Sequence, residues 1–222
     1  MLFAERAHEG QSRLNGDRYI EHPRVGALEL SLLGLGDPHQ REMLVHDVPE
    51  SVKTADEREQ VYAELAEIGM PKGEIADLQV LTNTYTKPWM TPLQRHQVYL
   101  SKYIPNLIEN GSNTALAVKG VDQKRNAFDQ PFGPQTIIAK PSKNLTGIRQ
   151  IAGMCMVLGE IEKRASMSPE NTPELVVIEH LRLVVAKAHL EIIGSPLKDE
   201  EHVPINYTFT EMASDIAQKI TT

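Results

Sequence analysis

The sequence predicts an all-α fold, and three observations carry that reading. Apolar side chains recur at three- and four-residue spacing through most of the chain. Capping and breaking residues divide it into segments of helix length. Strand signals are confined to one short run, Thr136-Ile137-Ile138-Ala139. A chain of 222 residues suits one large domain, or a domain with an appendage, and can bury a sizeable core. With 41% hydrophobic and 24% charged residues, the composition is that of a globular protein. A net charge of -7 argues against a general binder of nucleic-acid backbones. Cys155 is the only cysteine, which excludes an intramolecular disulfide and a cysteine-held zinc. It lies in an apolar run and reads as a buried, inert thiol. No apolar run approaches the ~20 residues needed to cross a bilayer. Met1-Leu2-Phe3-Ala4-Glu5-Arg6 lacks the basic-then-apolar order of a signal peptide. A cytoplasmic protein without a membrane partner is therefore the expectation.

Taken in order, Leu2, Phe3, Arg6 and Ala7 set a helix over residues 2–9, which Gly10 ends. A polar stretch follows, with a turn at Asn15-Gly16-Asp17. Pro23 can start the next helix, with His22 just before it; Val25, Leu28, Leu30, Leu32 and Leu33 make residues 24–33 apolar. After Gly34-Leu35-Gly36, Asp37 can cap a helix that carries Met43, Leu44 and Val45 and delivers His46 and Asp47 near its end. Pro49 disfavours an α conformation at Val48, so that helix should finish around Asp47. Glu50 then lies on the following turn. Thr54 or Asp56 opens a charged helix over 56–68 with Val61, Leu65 and Ile68 inward, and a second helix spans 73–82. Thr91 can cap a long helix over 92–108, and residues 114–126 form another with an apolar first half. The Pro/Gly-rich residues 127–143 read as a loop or insertion. Helices near 144–164 and 173–193 follow, then a short one over 210–220. The second of these places Leu175, Ile178, Leu181, Val184, Val185 and Ala188 on a wide apolar face. His180 and His189, without an acidic partner at metal spacing, read as structural or surface histidines.

The strongest chemical signal is the adjacent pair His46-Asp47. An imidazole and a carboxylate side by side offer a nitrogen and an oxygen to a hard or borderline divalent ion. His22 and Asp122 can complete the set: two histidines and two carboxylates suffice for one ion with room for water. Singly, each has a bland alternative, a capping or buried histidine for His22 and a helix-end carboxylate for Asp122. Asp122 and Asn126 share a helix face. Arg13, Arg18 and Tyr19 on one loop either clamp a phosphate and stack on a base, or belong to a solvated loop.

The stretch from Phe3 to Pro23, with His8-Glu9-Gly10-Gln11-Ser12-Arg13, a Gly turn and Tyr19-Ile20-Glu21-His22-Pro23, closely resembles the opening of the alarmone hydrolase domain of bifunctional Rel/Spo proteins and small alarmone hydrolases, within the HD-domain metal-dependent phosphohydrolases. His46-Asp47 falls at that family's His-Asp pair, and Glu50-Ser51 at its Glu-Asp pair. Leu81-Thr82 lies where a Thr-Lys pair is common. Lys119-Gly120-Val121-Asp122-Gln123-Lys124-Arg125-Asn126 resembles its Lys-x-x-Asp-Arg-x-x-Asn segment. The likeness covers residues 1 to about 128. It implies an HD-type helical core over 1–128, a loop or insertion over 129–143, and C-terminal helices over 144–222 completing the same domain. It further implies His22, His46, Asp47 and Asp122 as ligands of a divalent metal, with manganese the usual ion. Glu50 and Ser51 would stand at the catalytic pair, Glu50 handling the attacking water. Arg13, Tyr19, Lys119 and Asn126 would seat a small-molecule nucleotide. The implied reaction releases pyrophosphate from the 3′ position of ppGpp or pppGpp.

Three positions depart from the pattern. Ser51 replaces the second acid, Leu14 a basic residue, and Gln123 an arginine. These changes leave the ligand set intact and bear on the substrate. Two other readings therefore stand beside the first: an HD phosphohydrolase acting on a dNTP, a nucleoside monophosphate or NADPH, and a non-catalytic nucleotide-binding relative. The apolar C-terminal helices can cover the core or serve as a dimer face, so a homo-oligomer stays open.

Overall fold

Caps, glycine turns and prolines set where each helix of this chain starts and stops, as seen in a computed structural model that describes residues 2–13, 16–128, 141–168, 170, 172–193 and 208–221. The helices are α1 (Leu2–Ala7), α2 (Glu21–Leu32), α3 (Asp37–Val45), α4 (Val48–Ser51), α5 (Ala55–Glu67), α6 (Lys72–Leu81), α7 (Pro92–Val98), α8 (Ile104–Asn110), α9 (Asn113–Phe128), α10 (Pro141–Met167), α11 (Leu175–Ile193) and α12 (Phe209–Thr221). A π turn, Tyr99–Tyr103, joins α7 to α8. Among the described residues the extended pairing is one isolated antiparallel bridge, Ser12 to Arg18, so the fold is all-α as expected. Asn15 of the expected first turn, the expected strand at 136–139 and most of the expected insertion lie outside the described residues.

Several boundaries differ from expectation for local reasons. Helix α2 begins at Glu21, ahead of Pro23, because a proline in the first turn lacks an N–H that the helix does not need. Its buried face is His22, Pro23, Gly26, Ala27 and Leu30, while Val25, Leu28 and Leu32 stay exposed. Helix α3 stops at Val45, with His46 as its C-cap. Asp47 is then the residue before α4, which takes Pro49 in its first turn. The His-Asp pair thus sits at a junction of two helices. Thr54 opens α5 with a full capping box: its hydroxyl accepts from the Glu57 N–H at 3.1 Å, and the Glu57 carboxylate accepts from the Thr54 N–H at 2.8 Å. Ile68, expected inward, is 65% exposed, since it lies past the last turn where Gly69 reverses the chain at φ 94°; Tyr62 and Leu65 hold the inward face. The long helix expected over 92–108 carries a π turn because Pro105 has no N–H. The Ile104 N–H, just before it, reaches back to the Tyr99 carbonyl.

Helix α9 is the axis of the bundle, with α10 along it and α2, α3, α6 and α11 against its other sides. Ala115, Leu116, Ala117, Val118 and Val121 are fully buried on it. So are Asp122 and Gln123, and Lys119 nearly so. A helix buried all round must pair each polar group it carries. Its start is fixed from α6: Asp77 accepts from the Ser112 N–H at 3.0 Å and from its hydroxyl at 2.5 Å. Arg164 on α10 donates to the carbonyls of Ile108 and Gly111, holding the end of α8 against the core. Cys155 is fully buried, and removal from water pushes its thiol up, as expected of an inert core cysteine. Among the described residues no helix is long and apolar enough to cross a membrane.

Candidate metal centre

Three segments far apart in sequence bring polar groups to one place beside α9. The first turn of α2 supplies His22, the α3–α4 junction supplies His46 and Asp47, and α9 supplies Asp122. One ligand atom from each of the four lies within 4.8 Å of every other. His22 Nε2 is 2.9 Å from Asp122 Oδ1 and 3.8 Å from Asp47 Oδ2. His46 Nε2 is 3.1 Å from Asp47 Oδ1 and 3.3 Å from Asp122 Oδ1. These are the four residues expected to converge.

The surrounding bonds orient each ligand. His46 Nδ1 lies 2.8 Å from the Met43 carbonyl. A carbonyl only accepts, so Nδ1 carries the hydrogen and Nε2 turns a lone pair to the cluster when the ring is neutral. That Nε2 is buried and has no hydrogen-bond partner. The Tyr19 hydroxyl donates to Asp47 Oδ2 at 2.8 Å. Asn126 donates to Asp122 Oδ1 at 2.7 Å and accepts from Arg13 at 2.9 Å, linking the loop arginine to the ligand helix. The Arg13 guanidinium carbon stands 5.8 Å from the centre of the Tyr19 ring.

Electrostatics favour a cation here. Burial opposes the charge of Asp122, but Lys119, His46 and the His22 hydrogen bond hold its carboxyl well below the usual carboxylate range. Burial likewise opposes the charge of Asp47, and His46 above all holds it low. Burial would lower the His46 imidazole, yet Asp47 and Asp122 raise it well above its ordinary value. The carboxylates thus recruit a positive charge at Nε2, and a divalent ion is the alternative to that proton. The residues present fit such an ion. Ligand atoms ~2.2 Å from one centre are at most about 4.4 Å apart, so closing by a few tenths of an ångström suffices. Two imidazoles and two carboxylates form a donor set for a borderline or hard ion, manganese among them.

The remaining expected residues are placed as follows. Glu50 Oε1 accepts from the Asn83 backbone N–H at 2.8 Å. Loss of water contact around its carboxyl, helped by Asp47 and Asp122 and opposed by Lys119, pushes it up to about 7. The residue as a whole remains solvent-exposed, which tempers the size of that push and leaves its direction. Ser51 donates to the Val48 carbonyl at 2.7 Å and lines a cavity of about 420 Å³ with Phe3, Val52 and Val61. Lys119, expected to meet substrate, is buried and donates to Asp122 Oδ2 at 2.7 Å, with its ammonium 5.3 Å from the centre of the Tyr103 ring. His180 is exposed on Glu29 and His189 bonds Asp215, apart from the cluster as expected.

Sequence reasoning missed three supports. His8 stacks on Tyr19 with ring centres 4.6 Å apart, and its Nε2 is buried without a partner. It also lines a cavity of about 720 Å³ with Arg6, Gln11 and Arg18. Its place beside a glutamine in the His8-to-Arg13 stretch was the available signal. The Met43 carbonyl carries none, since any residue supplies one. Gln123 donates to the Tyr99 hydroxyl at 3.0 Å, a pairing of distant segments that spacing does not reveal. Compared with known proteins, this chain matches no protein-family model, no curated protein and no solved structure.

Proposed function

We propose that this protein is a metal-dependent phosphohydrolase acting on a nucleotide, and that its reaction is removal of pyrophosphate from the 3′ position of guanosine 3′,5′-bis(diphosphate), as its resemblance to alarmone hydrolases implies. The observation that carries the reading is the convergence of His22, His46, Asp47 and Asp122, spread over a hundred positions, on one point. When bound there, a divalent ion such as manganese supplies Lewis acidity, acidifying water and offsetting charge on phosphoryl oxygens. The chain supplies the rest. Glu50, raised toward neutrality beside the cluster, accepts the proton of the attacking water. That water oxygen bonds to the phosphorus next to the ribose, the bond to the 3′-oxygen breaks, and the proton held by Glu50 balances the one the 3′-oxygen takes. Tyr19 and Asn126 hold Asp47 and Asp122 in place, and Lys119 balances the charge of Asp122. Arg13, at the mouth, is positioned to cover a base or meet a phosphate.

A second reading, hydrolysis of another nucleotide at the same centre, is favoured by two observations. The position of the second acid is Ser51, bonded to its own helix, and Gln123 is buried on Tyr99 rather than offered to a polyanion. One screen separates the two. Protein loaded with manganese, magnesium, zinc or cobalt is given ppGpp, dNTPs, nucleoside monophosphates and NADPH. Pyrophosphate release from ppGpp, abolished by His46→Ala, supports the first reading; phosphate or triphosphate release from another nucleotide alone supports the second. Glu50→Gln keeps the metal and loses roughly 10²–10⁴-fold in rate, whereas Asp47→Ala loses the metal. Metal retained in Asp47→Ala and lost in Glu50→Gln would reverse these roles.

A further inference from the structure

A second group of nitrogen donors lies beside the metal centre and is used by neither the fold nor the chemistry above. His96 on α7 is 2% exposed, and neither of its ring nitrogens has a hydrogen-bond partner. A buried imidazole without a partner is costly, and such groups are rare unless something else is meant to meet them. Arg149 on α10 lies with its guanidinium carbon 4.4 Å from the centre of the Tyr99 ring. Stacking satisfies the guanidinium face and leaves its N–H groups, and Nε is buried without a partner. No carboxylate of the described residues forms an ion pair with it; the acid whose charge reaches it is Glu50. Arg95 stands by the same two residues, its own guanidinium donating to the Met90 and Pro88 carbonyls. Its charge and that of Arg149, after burial, push His96 down to about 4, so the ring is neutral and offers an N–H. Three donors from α7 and α10 therefore face one another with no anion between them.

The group is tied to the centre by a short chain. Gln123, next to the ligand Asp122, donates to the Tyr99 hydroxyl at 3.0 Å, and that hydroxyl donates to Gln150 Oε1 at 3.3 Å. Arg149 covers the same ring, on the side whose field reaches Glu50. We propose that Arg149 and His96, with Arg95 at the rim, form an anion pocket that takes a phosphoryl group of the substrate other than the one attacked. The substrate class is then a nucleotide phosphorylated at two separated positions. This inference rests on the hydrolase reading for its biological meaning, but the pocket itself does not.

The test is calorimetry of the full chain with inorganic pyrophosphate in excess EDTA, so that no metal contributes. One site is expected in the wild type and equally in His46→Ala. Arg149→Gln and, independently, His96→Asn weaken it roughly tenfold or more, the scale of a lost charge-assisted or buried hydrogen bond. Arg149→Lys, which keeps the charge but not the planar fork, falls between. His96→Asn leaves the stack on Tyr99 untouched and guards against a folding defect in the arginine variant. No binding by the metal-free protein, unchanged affinity in both variants, or an equal loss in His46→Ala would each overturn the pocket. With metal, Arg149→Gln raises KM roughly tenfold for a doubly phosphorylated nucleotide that is turned over, and leaves a monophosphate unaffected. If no nucleotide is turned over while pyrophosphate binding and its loss persist, the hydrolase reading fails and the pocket stands.

Discussion

Tyr19 illustrates how one hydroxyl can matter to a centre it does not enter. Its bond to Asp47 Oδ2 fixes which way that carboxylate turns, and its ring is in turn held against His8. Removal of the hydroxyl in Tyr19→Phe keeps the stack and frees the carboxylate, so metal affinity falls roughly ten- to a hundredfold. Competition with a chromophoric chelator measures this, and an unchanged affinity would remove Tyr19 from the support of the site. The same scale shows what residue type discloses. His22, His46, Asp47 and Asp122 were legible because imidazole and carboxylate are what such an ion takes. Lys119 was legible as a cation near the site but not as one buried on Asp122, because a lysine beside a nucleotide and a lysine beside a carboxylate look alike in sequence.

Helix boundaries were legible where a side chain makes the boundary. Thr54 and Thr91 both build the capping boxes their spacing suggests, each with Glu57 or Gln94 as the reciprocal partner. Thr54→Ala should lower unfolding free energy by about 1 kcal/mol in urea and leave metal affinity unchanged, because α5 carries no ligand. A loss as large as several kcal/mol would mean that the cap also holds α4. Legibility failed where the neighbour decides. Periodicity says which residues of α2 share a face, not which face a later helix covers, so Leu28 and Leu32 read as core and are exposed. The π turn escaped notice because a proline inside a helical pattern can be met by a kink, a break or an extra residue per turn, and only the packed helix chooses.

Over the whole molecule, two buried charge arrangements tie stability to conditions. Glu42 on α3 is 1% exposed; burial first, then Asp77 and Glu74, push its carboxyl up to about 9 against the pull of Arg41. A carboxyl raised in the fold contributes fully below its ordinary value of 4.5 and loses that contribution as pH climbs toward 9. Wild-type melting temperature should therefore fall relative to Glu42→Gln across that window, by at most about 1.4 kcal/mol per pH unit; parallel profiles would show that Glu42 keeps its charge. The second arrangement is the metal centre itself, which joins α2, the α3–α4 junction and α9 and so spans most of the N-terminal half of the bundle. An ion that binds the folded chain alone stabilises it by mass action, about 2.7 kcal/mol when its free concentration is a hundred times Kd. For a chain of this length that is roughly 5–10 °C in Tm. Manganese should raise the wild-type Tm by such an amount, with EDTA reversing it. Asp47→Asn is the control, because it preserves the shape of the ligand and the buried Lys119–Asp122 pair while removing one of the charges that recruit the ion. Its Tm should not respond to manganese at the same concentration. The rise must also saturate with metal rather than grow with ionic strength, since screening acts on every exposed charge and would move both proteins alike. A wild type indifferent to manganese, magnesium, zinc and cobalt would mean that four ligand atoms within 4.8 Å are held together by hydrogen bonds and protons alone, and the centre would be structural.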